Sequence, residues 1–397
     1  MTLALANQSA GAEISSRLVN VKIEVGPAPA GAQDVRLFRN GALVKAWRGD
    51  VLKGQRQANL QVQLPIVAGA NRLTAYAFNR DNVKSTDATL TITGASNLKR
   101  SGTLYILAFA VNKYANPQFD LRYAVADATD FAAELQRQES RLGRFERTEI
   151  ISLHDAQATK ASILRALTEL SARVKPEDAV VVYYAGHGTA QQNQFFLIPH
   201  DLGYQGARNR LNAASLTTVL AHSISDRELE RAFESVDAGQ FLLVIDACNS
   251  GQALEAEEKR RGPMNSKGLA QLAYEKGIYI LTAAQSYQAA LEQSDLKHGL
   301  LTYALVEEGL KQGAADAEPR DGFVLVREWF SYVTRRVPEM QEARMRQASQ
   351  GGRQLAYVEG EENSEAAKRN VQRPRIFYRR ELEAQPFIVA KTDAMSP

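Results

Sequence analysis

One cysteine and one histidine stand where a sheet could bring them together. Cys248, the only cysteine, follows the apolar run 241–245, and His187 follows the apolar run 179–184. Such runs are typical of buried strands, and reactive groups gather where the parallel strands of an open sheet end. A thiol that gives its proton to an imidazole can attack a carbonyl carbon. The pattern therefore predicts a protease-like pair, with Cys248 as nucleophile and His187 as general base.

Glycines beside the histidine suit a site that a substrate approaches closely. Gly186 and Gly188 let the backbone turn sharply and leave room for a carbonyl group. The backbone N–H groups of Gly188 and Cys248 are the predicted donors to the oxyanion of a tetrahedral intermediate. The alternative is a structural cysteine and a core histidine. The other histidines, at positions 154, 200, 222 and 298, do not combine an apolar strand with flanking glycines.

Composition limits the classes of protein to consider. The chain has 397 residues, 45% of them hydrophobic, which is enough for two or three domains with a substantial core. Its 48 basic and 45 acidic residues are spread along the chain and give a net charge of +3, so we expect no nucleic-acid partner. One cysteine forms no internal disulfide, and no apolar stretch reaches membrane-spanning length. We expect a cytoplasmic protein without a membrane partner.

The first 98 residues have the pattern of an all-β domain. Apolar and polar residues alternate around 19–25, 35–37, 60–64 and 90–92, which indicates strands with one buried face. Asn40 and Gly41 separate two such segments and are typical of a tight hairpin turn. The spacing predicts a small immunoglobulin-like β-sandwich over 1–98. We hypothesise that this sandwich binds a partner or regulator, or covers the active-site cleft.

Strands and helices alternate over 99–335. Apolar runs at 104–111, 179–184 and 241–245 indicate buried parallel strands, 148–153 and 277–282 are further strand candidates, and 124–138 and 159–174 have helical spacing. The fold class is therefore α/β, with a mostly parallel sheet flanked by helices. Residues 336–397 are predicted to form a C-terminal extension with a charged loop and a late strand near 375–378.

The order of the two residues excludes some hydrolases and points to another family. A papain-like enzyme has its cysteine far ahead of its histidine, and an α/β-hydrolase has glycine where this chain has Asp246. The segments Tyr-Ala-Gly-His-Gly at 184–188 and Asp-Ala-Cys-Asn-Ser-Gly at 246–251 instead resemble the His and Cys boxes of the caspase and metacaspase superfamily, particularly its bacterial members. The resemblance covers 103–331. It implies a caspase-like fold and a thiol endopeptidase that needs no cofactor.

The resemblance also implies a specificity pocket. In the metacaspase pattern, two acids line the pocket and select arginine or lysine, and they match Asp246 and Asp127 in this sequence. Ala284 and Gln285, near the end of the matching fifth strand, complete the substrate-binding set. Two carboxylates suit a guanidinium, which can pair with both. The alternatives are a turn-stabilising role for Asp246 and a solvated helix face for Asp127.

Residues 255–266 fall where the superfamily has its processing linker, which implies a zymogen that cleaves itself. Lys259, Arg260 and Arg261 are the predicted autoprocessing positions, and an ordinary charged loop is the alternative. Two features differ from metacaspases. Asn249 replaces the usual histidine, and 189–194 lacks the acidic cluster associated with calcium activation, so we predict no metal site.

Two other functions remain open at this point. A caspase-fold scaffold with little or no proteolytic activity would bring partners together through the sandwich. A ligase would resolve the same acyl-enzyme with an amine rather than with water. The leading expectation is an endopeptidase that acts on proteins or peptides and cleaves after arginine or lysine.

Overall fold

The structure, a computed structural model, describes residues 2–5, 13–191, 194–249, 266–283, 297–350, 371–380, 382 and 386–392. In the N-terminal part the strands are β1 Thr2–Leu5, β2 Glu13–Ile14, β3 Leu18–Val25, β4 Gln33–Arg39, β5 Ala42–Asp50, β6 Ala58–Pro65, β7 Gly69–Phe78 and β8 Ala88–Gly94. The later strands are β9 Thr103–Ala110, β10 Arg147–His154, β11 Ala179–Gln191, β12 Gln194–Ile198, β13 Ile224–Ser225, β14 Gln240–Asn249, β15 Tyr279–Thr282, β16 Phe323–Leu325, β17 Arg375–Phe377 and β18 Ile388–Lys391.

Helices follow the sandwich and alternate with the later strands. They are α1 Ala124–Leu142, α2 Lys160–Ser171, α3 Ala213–His222, α4 Asp226–Glu234, α5 Ser266–Lys276, α6 Leu300–Thr302 with its π-helical continuation Tyr303–Lys311, and α7 Val326–Gln350. Within the described ranges, no helix combines the length and apolar character that crossing a bilayer requires.

Two antiparallel sheets form the N-terminal sandwich. One sheet has the order β1-β3-β6, and the other has the order β2-β8-β7-β4-β5, with β2 parallel to β8. Their facing apolar side chains, such as Val21, Ile23 and Leu37, are fully buried. The predicted hairpin lies between β4 and β5, where Asn40 and Gly41 both have positive φ. This left-handed backbone explains why asparagine and glycine stand there.

A mostly parallel sheet organises the rest of the chain, as predicted. Its order is β10-β9-β11-β14-β15-β17, and the strands are parallel except for the edge strand β17. The late strand predicted near 375–378 is this β17. The hairpin strand β12 turns back antiparallel on the end of β11 and pairs with β13. Separately, β16 and β18 form a two-stranded sheet.

Both faces of the sheet are covered by helices, which is why its strands are apolar throughout. Along β11, the side chains of Val180, Val182 and Tyr184 join the core under α2, α3, α4 and α5. The alternate residues, including Val181 and Tyr183, join the core under α1, α6 and α7. The two-residue period of the strand therefore divides one apolar segment between two cores.

Ion pairs connect the sandwich to the starts of the parallel strands. Arg17 pairs with Glu177 at 2.5 Å, just before β11, and Arg39 pairs with Asp237 at 2.7 Å, just before β14. His187 lies toward the opposite end of β11. The hypothesis that the sandwich covers the active-site cleft is therefore wrong for its described residues, because they dock at the other edge of the sheet.

A buried lysine completes this junction. The Nζ of Lys276 donates to the backbone carbonyls of Leu43 at 3.1 Å, Val236 at 2.7 Å and Glu234 at 3.3 Å. Beside it, a Cβ on Gly277 would lie 1.9 Å from the carbonyl oxygen of Gly41. The two backbones approach so closely that only glycine fits, so the β4–β5 hairpin is wedged against the end of α5.

Candidate active site

The backbone places His187 and Cys248 side by side. They are register partners in the parallel pair β11–β14, and neighbouring strands lie about 4.8 Å apart. Both strands continue beyond the point where the sequence analysis ended them, β11 to Gln191 and β14 to Asn249. The continuation of β11 follows from its pairing with β12, which begins at the partners His187 and Ile198.

The imidazole of His187 is buried and held from one side. Its Nε2 lies 2.8 Å from the backbone carbonyl oxygen of Phe119, and the residue is only 5% exposed. A carbonyl oxygen only accepts, so Nε2 carries the proton and Nδ1 presents a lone pair. Burial lowers the pKa of His187 to about 4. The side chain is therefore neutral at physiological pH and can accept a proton through Nδ1.

Two tyrosines support the backbone around this histidine. The backbone N–H of His187 donates to the hydroxyl oxygen of Tyr114 at 2.7 Å, and the Tyr184 hydroxyl donates to the carbonyl of Ile198 at 2.6 Å. A Cβ on Gly186 would come within 2.9 Å of both hydroxyl oxygens. Glycine at 186 is thus required by the packing of two phenols against the backbone, a reason that the sequence pattern did not reveal.

Gly188, a predicted oxyanion donor, lies where three strands meet. Its register partners are Asn249 in β14 and Leu197 in β12. A Cβ at this position would lie 3.1 Å from the Cβ of Ala247 and 3.4 Å from the carbonyl oxygen of Phe196. A larger residue would push these strands apart, so the glycine allows close packing next to the candidate nucleophile.

Asp127 lies in the first turn of α1 and is buried, with 4% exposure. Its Oδ1 accepts from Nδ1 of His298 at 2.8 Å, and the backbone N–H of Gly299 approaches Oδ1 at 3.2 Å and Oδ2 at 3.1 Å. Burial raises the pKa of Asp127, while the contacts with His298 and Gly299 act in the opposite direction. The alternative of a solvated helix face is therefore wrong.

Asp246 approaches the same place from β14. Its Oδ2 accepts from the hydroxyl of Thr302 at 2.8 Å and from the hydroxyl of Tyr183 at 3.3 Å. Burial, followed by the negative charge of Asp127, raises the pKa of Asp246 to about 7. The carboxyl thus changes charge near neutral pH, as a titrating group of a functional site often does.

Gly299 separates the two carboxylates. A Cβ placed on it would lie 3.1 Å from Oδ2 of Asp127 and 3.5 Å from Oδ2 of Asp246. Its φ of −65° and ψ of 150° are open to any residue, so the backbone itself does not require glycine here. The missing side chain instead leaves a gap onto which both carboxylates face. The structure thus brings together the two acids that the sequence analysis assigned to one pocket.

Other predicted residues lie outside the described part of the chain. These are Ala284 and Gln285 of the substrate-binding set, the autoprocessing positions Lys259, Arg260 and Arg261, and the charged loop of the C-terminal extension. Conversely, the sequence analysis missed the site's supporting residues, namely Tyr114, Phe119, Tyr183, His298, Gly299 and Thr302. The sequence carried one signal for them, because His298 and Gly299 lie within the range 103–331 that the family resemblance covers.

Comparisons with known proteins agree with this geometry at the level of the family. A family model of the caspase domain matches residues 104–360, which is more than half of the chain. A search of curated proteins finds no significant match.

Solved structures show only remote likeness. A protein from Geobacter sulfurreducens is 15% identical, with 59% of this chain and 89% of that chain covered and a TM-score of 0.39. Fibronectin(III)-like modules of Clostridium thermocellum CbhA are 11% identical, with 24% and 99% covered and a TM-score of 0.19. These likenesses are too weak to assign a function. The family match is decisive, and the chain belongs to the caspase-domain family of peptidases.

Proposed function

We propose that this caspase-family peptidase is a cysteine endopeptidase that cleaves after arginine or lysine. The observation that carries the proposal is a pair of carboxylates, those of the buried Asp127 and the half-buried Asp246, which face one gap beside Gly299. A guanidinium or ammonium group in that gap would meet two acceptors in a partly desolvated setting, where charge-assisted hydrogen bonds are strong. An acidic side chain would meet two like charges there.

In the proposed reaction, Cys248 supplies the nucleophile and His187 the base. The sulfur attacks the scissile carbonyl carbon while Nδ1 of His187 takes the thiol proton. The N–H groups of Gly188 and Cys248 donate to the oxyanion of the tetrahedral intermediate. When the intermediate collapses, the C–N bond breaks, and the imidazolium returns its proton to the leaving amine. Water then attacks the thioester with His187 again as base, which releases the acid product and the thiol.

The neutral state of His187 fits this role. Burial keeps the imidazole unprotonated at physiological pH, and the bond to Phe119 fixes which nitrogen holds the proton. The base is therefore ready before the substrate binds, and its ring does not need to rotate to choose a tautomer.

Peptide substrates test the specificity. Fluorogenic peptides that end in arginine, lysine, citrulline or aspartate should be incubated with the wild-type protein and with Cys248→Ala and His187→Ala. We expect cleavage after arginine and lysine, and a loss of about 100-fold or more with citrulline, which has the shape of arginine without its charge. The two variants should be inactive. Efficient cleavage after citrulline or aspartate would refute the acidic pocket, and activity of Cys248→Ala would refute the nucleophile.

We further propose that the enzyme is a zymogen that cleaves its own chain after Lys259, Arg260 or Arg261. These residues lie outside the described part of the chain, and the proposal is supported by their match to the pocket's preference. Wild-type protein should split into two fragments over time, and Cys248→Ala should stay intact. A triple glutamine variant at the three positions should also stay intact and, as an unprocessed zymogen, should cleave peptides much more slowly than the wild type. An unsplit wild type with full peptidase activity would contradict the proposal.

We propose that the predicted unit 1–98 has a role separate from the rest of the chain, because β17 and β18 of the predicted extension 336–397 pair with strands of the predicted unit 99–335. The sandwich docks at the edge of the sheet opposite His187, so we propose that it stabilises the catalytic unit or binds a partner rather than blocking substrate. Addition of the isolated sandwich to the full-length enzyme should therefore leave peptide cleavage unchanged. Inhibition by the added sandwich would contradict this proposal.

A further inference from the structure

The imidazole of His298 lies between two carboxylates. Its Nδ1 is 2.8 Å from Oδ1 of Asp127, and its Nε2 is 3.3 Å from Oδ2 of Asp130. A neutral imidazole has one N–H donor, and its other nitrogen would then point a lone pair at a carboxylate oxygen. Only the doubly protonated ring donates to both acids. The geometry therefore favours a positively charged His298 when the pocket is empty.

The positive charge of His298 would stabilise the negative charge of the neighbouring Asp127. Its carboxylate is buried, and across Gly299 it faces a second acid, Asp246. Burial and a like charge both favour the protonated form of a carboxyl group. A protonated Asp127 would offer no ionic attraction to a basic side chain. A cation in contact with Asp127 stabilises the ionised form of this buried carboxyl group.

The two carboxylate oxygens of Asp127 make different contacts. Oδ1 is held by the His298 ring. Oδ2 is the oxygen nearest to the gap, 3.1 Å from the position of a Cβ on Gly299, and Oδ2 of Asp246 lies 3.5 Å from the same point. His298 thus binds the far side of the carboxylate and leaves the near side toward the place where a ligand cation would sit.

We propose that His298 is a positioning residue of the specificity pocket, which keeps Asp127 ionised and turned so that Oδ2 faces Asp246. The proposal deepens the function proposed above and rests on it for the identity of the ligand, a guanidinium or ammonium side chain. His298 does not touch the scissile bond. It acts on substrate binding only through the charge and orientation of Asp127.

Acidic side chains face His298 from each described element that packs against it. Asp127 and Asp130 come from α1, and Glu307 comes from the π-helical continuation of α6. Asp246 of β14 interacts electrostatically with Asp127, and the neighbouring Lys297 is exposed. The hydrogen bond to Asp127 raises the pKa of His298, which is the direction expected for a ring that lies between two carboxylates.

The first experiment measures Asp127 directly and needs no substrate. Full-length Cys248→Ala protein with ¹³C-labelled aspartate carboxyls is titrated by NMR, with and without His298→Asn, and Asp127→Asn identifies the signal. We expect the midpoint of Asp127 to rise by at least one pH unit in the His298 variant, because its cation is gone. Asp130→Asn is the control, because the negative charge that it removes itself raises the pKa of Asp127, so this variant should not reproduce the rise. An unchanged or lower Asp127 midpoint in His298→Asn would overturn the proposal.

The second experiment measures the consequence for substrate. The KM of His298→Asn for an arginine peptide should exceed the wild-type KM by about tenfold at pH 6, a size typical of coupling through one charged contact. The ratio should approach one by pH 9, where Asp127 ionises without help, and kcat should change little. His222→Asn, an exposed histidine on α3, is the matched control and should behave as wild type.

The outcomes separate this inference from the proposed function. A KM ratio that stays constant with pH would show a purely structural role, and a ratio below one at pH 6 would show that His298 competes with the substrate. Either result overturns the inference while arginine specificity stands. If no basic peptide is cleaved, the proposed function fails, and the NMR midpoint still decides whether His298 keeps Asp127 ionised.

Discussion

The backbone carbonyl oxygen of Phe119 lies 2.8 Å from Nε2 of His187 and fixes the protonation pattern of the ring. The candidate base therefore receives its orientation from the backbone of a short turn, Pro117–Phe119, and not from a third acidic side chain. A backbone acceptor orients the ring without adding a negative charge that would raise its basicity. Burial then dominates, and the pKa of His187 falls to about 4.

The difference between the pKa values of His187 and Asp246 predicts how the kinetics of peptide cleavage depend on pH. His187 stays neutral down to about pH 4, whereas Asp246 gains a proton below about pH 7. As pH falls from 7 to 5, the pocket loses negative charge while the base remains able to accept a proton. We expect the KM for an arginine peptide to rise by up to about tenfold per pH unit over this range, with a smaller change in kcat. Steady-state kinetics between pH 5 and 9 measure both.

A citrulline peptide is the control for this profile, because its side chain carries no charge. Its KM should stay nearly constant over the same range. An arginine peptide whose KM is also constant would show that Asp246 does not bind the basic side chain.

Gly186→Ala should damage the site through packing. The added Cβ would lie 2.9 Å from the hydroxyl oxygens of Tyr114 and Tyr184, so both phenols must shift, which disturbs the hydrogen bond from the His187 N–H to Tyr114. We expect a loss of about 1–3 kcal/mol in the free energy of unfolding and a large drop in kcat. Denaturant unfolding and peptide kinetics measure the two effects. Gly26→Ala, where no atom lies within 4 Å of the new Cβ, should change neither.

Asp246→Asn should stabilise the protein at alkaline pH while it weakens substrate binding. In the folded state the carboxyl holds its proton up to about pH 7, whereas in the unfolded chain it ionises near its ordinary value of about 4. The wild type therefore loses stability as pH rises through this window, and asparagine avoids that loss.

Asp246 is only half-buried, so solvent screens part of its charge. We therefore expect the free energy of unfolding to rise by about 2 kcal/mol at pH 8 and to change little at pH 4. Thermal unfolding at the two pH values measures it, and exposed Asp81→Asn is the control. A variant less stable than wild type at pH 8 would show that the hydrogen bonds from Thr302 and Tyr183 outweigh the buried charge.

Lys276→Met should destabilise the junction with the sandwich without changing the chemistry. The substitution leaves the three carbonyls of Leu43, Glu234 and Val236 without their donor. We expect a loss of about 2 kcal/mol or more in the free energy of unfolding. The kcat of the folded fraction should stay at the wild-type level, because the junction lies at the far edge of the sheet. Exposed Lys45→Met is the matched control, and a selective fall in kcat would show coupling between the two edges.

The residue pattern was enough to predict the main strands of both sheets and the candidate chemical pair. The continuous apolar segments of β9, β11 and β14 can be buried only between two helical layers, so their composition implied a parallel sheet. The alternation around Val21 and Ile23 likewise implied sheets with one buried face. The placement of His187 and Cys248 at the ends of such segments required only that neighbouring strands end at the same edge, a property of every parallel sheet.

Tertiary structure decided which groups support these residues, because their partners are distant in the chain and leave no periodic signal. The Phe119 carbonyl is a backbone group and cannot be recognised by residue type. The partner of Asp127 is His298, which resembles an ordinary loop histidine until α1 and α6 pack against one face of the sheet. The position of the sandwich was also decided by docking, since its hairpin meets α5 through backbone contacts between Gly41 and Gly277. Local pattern reflects burial and period, whereas contacts between distant segments depend on how the elements pack.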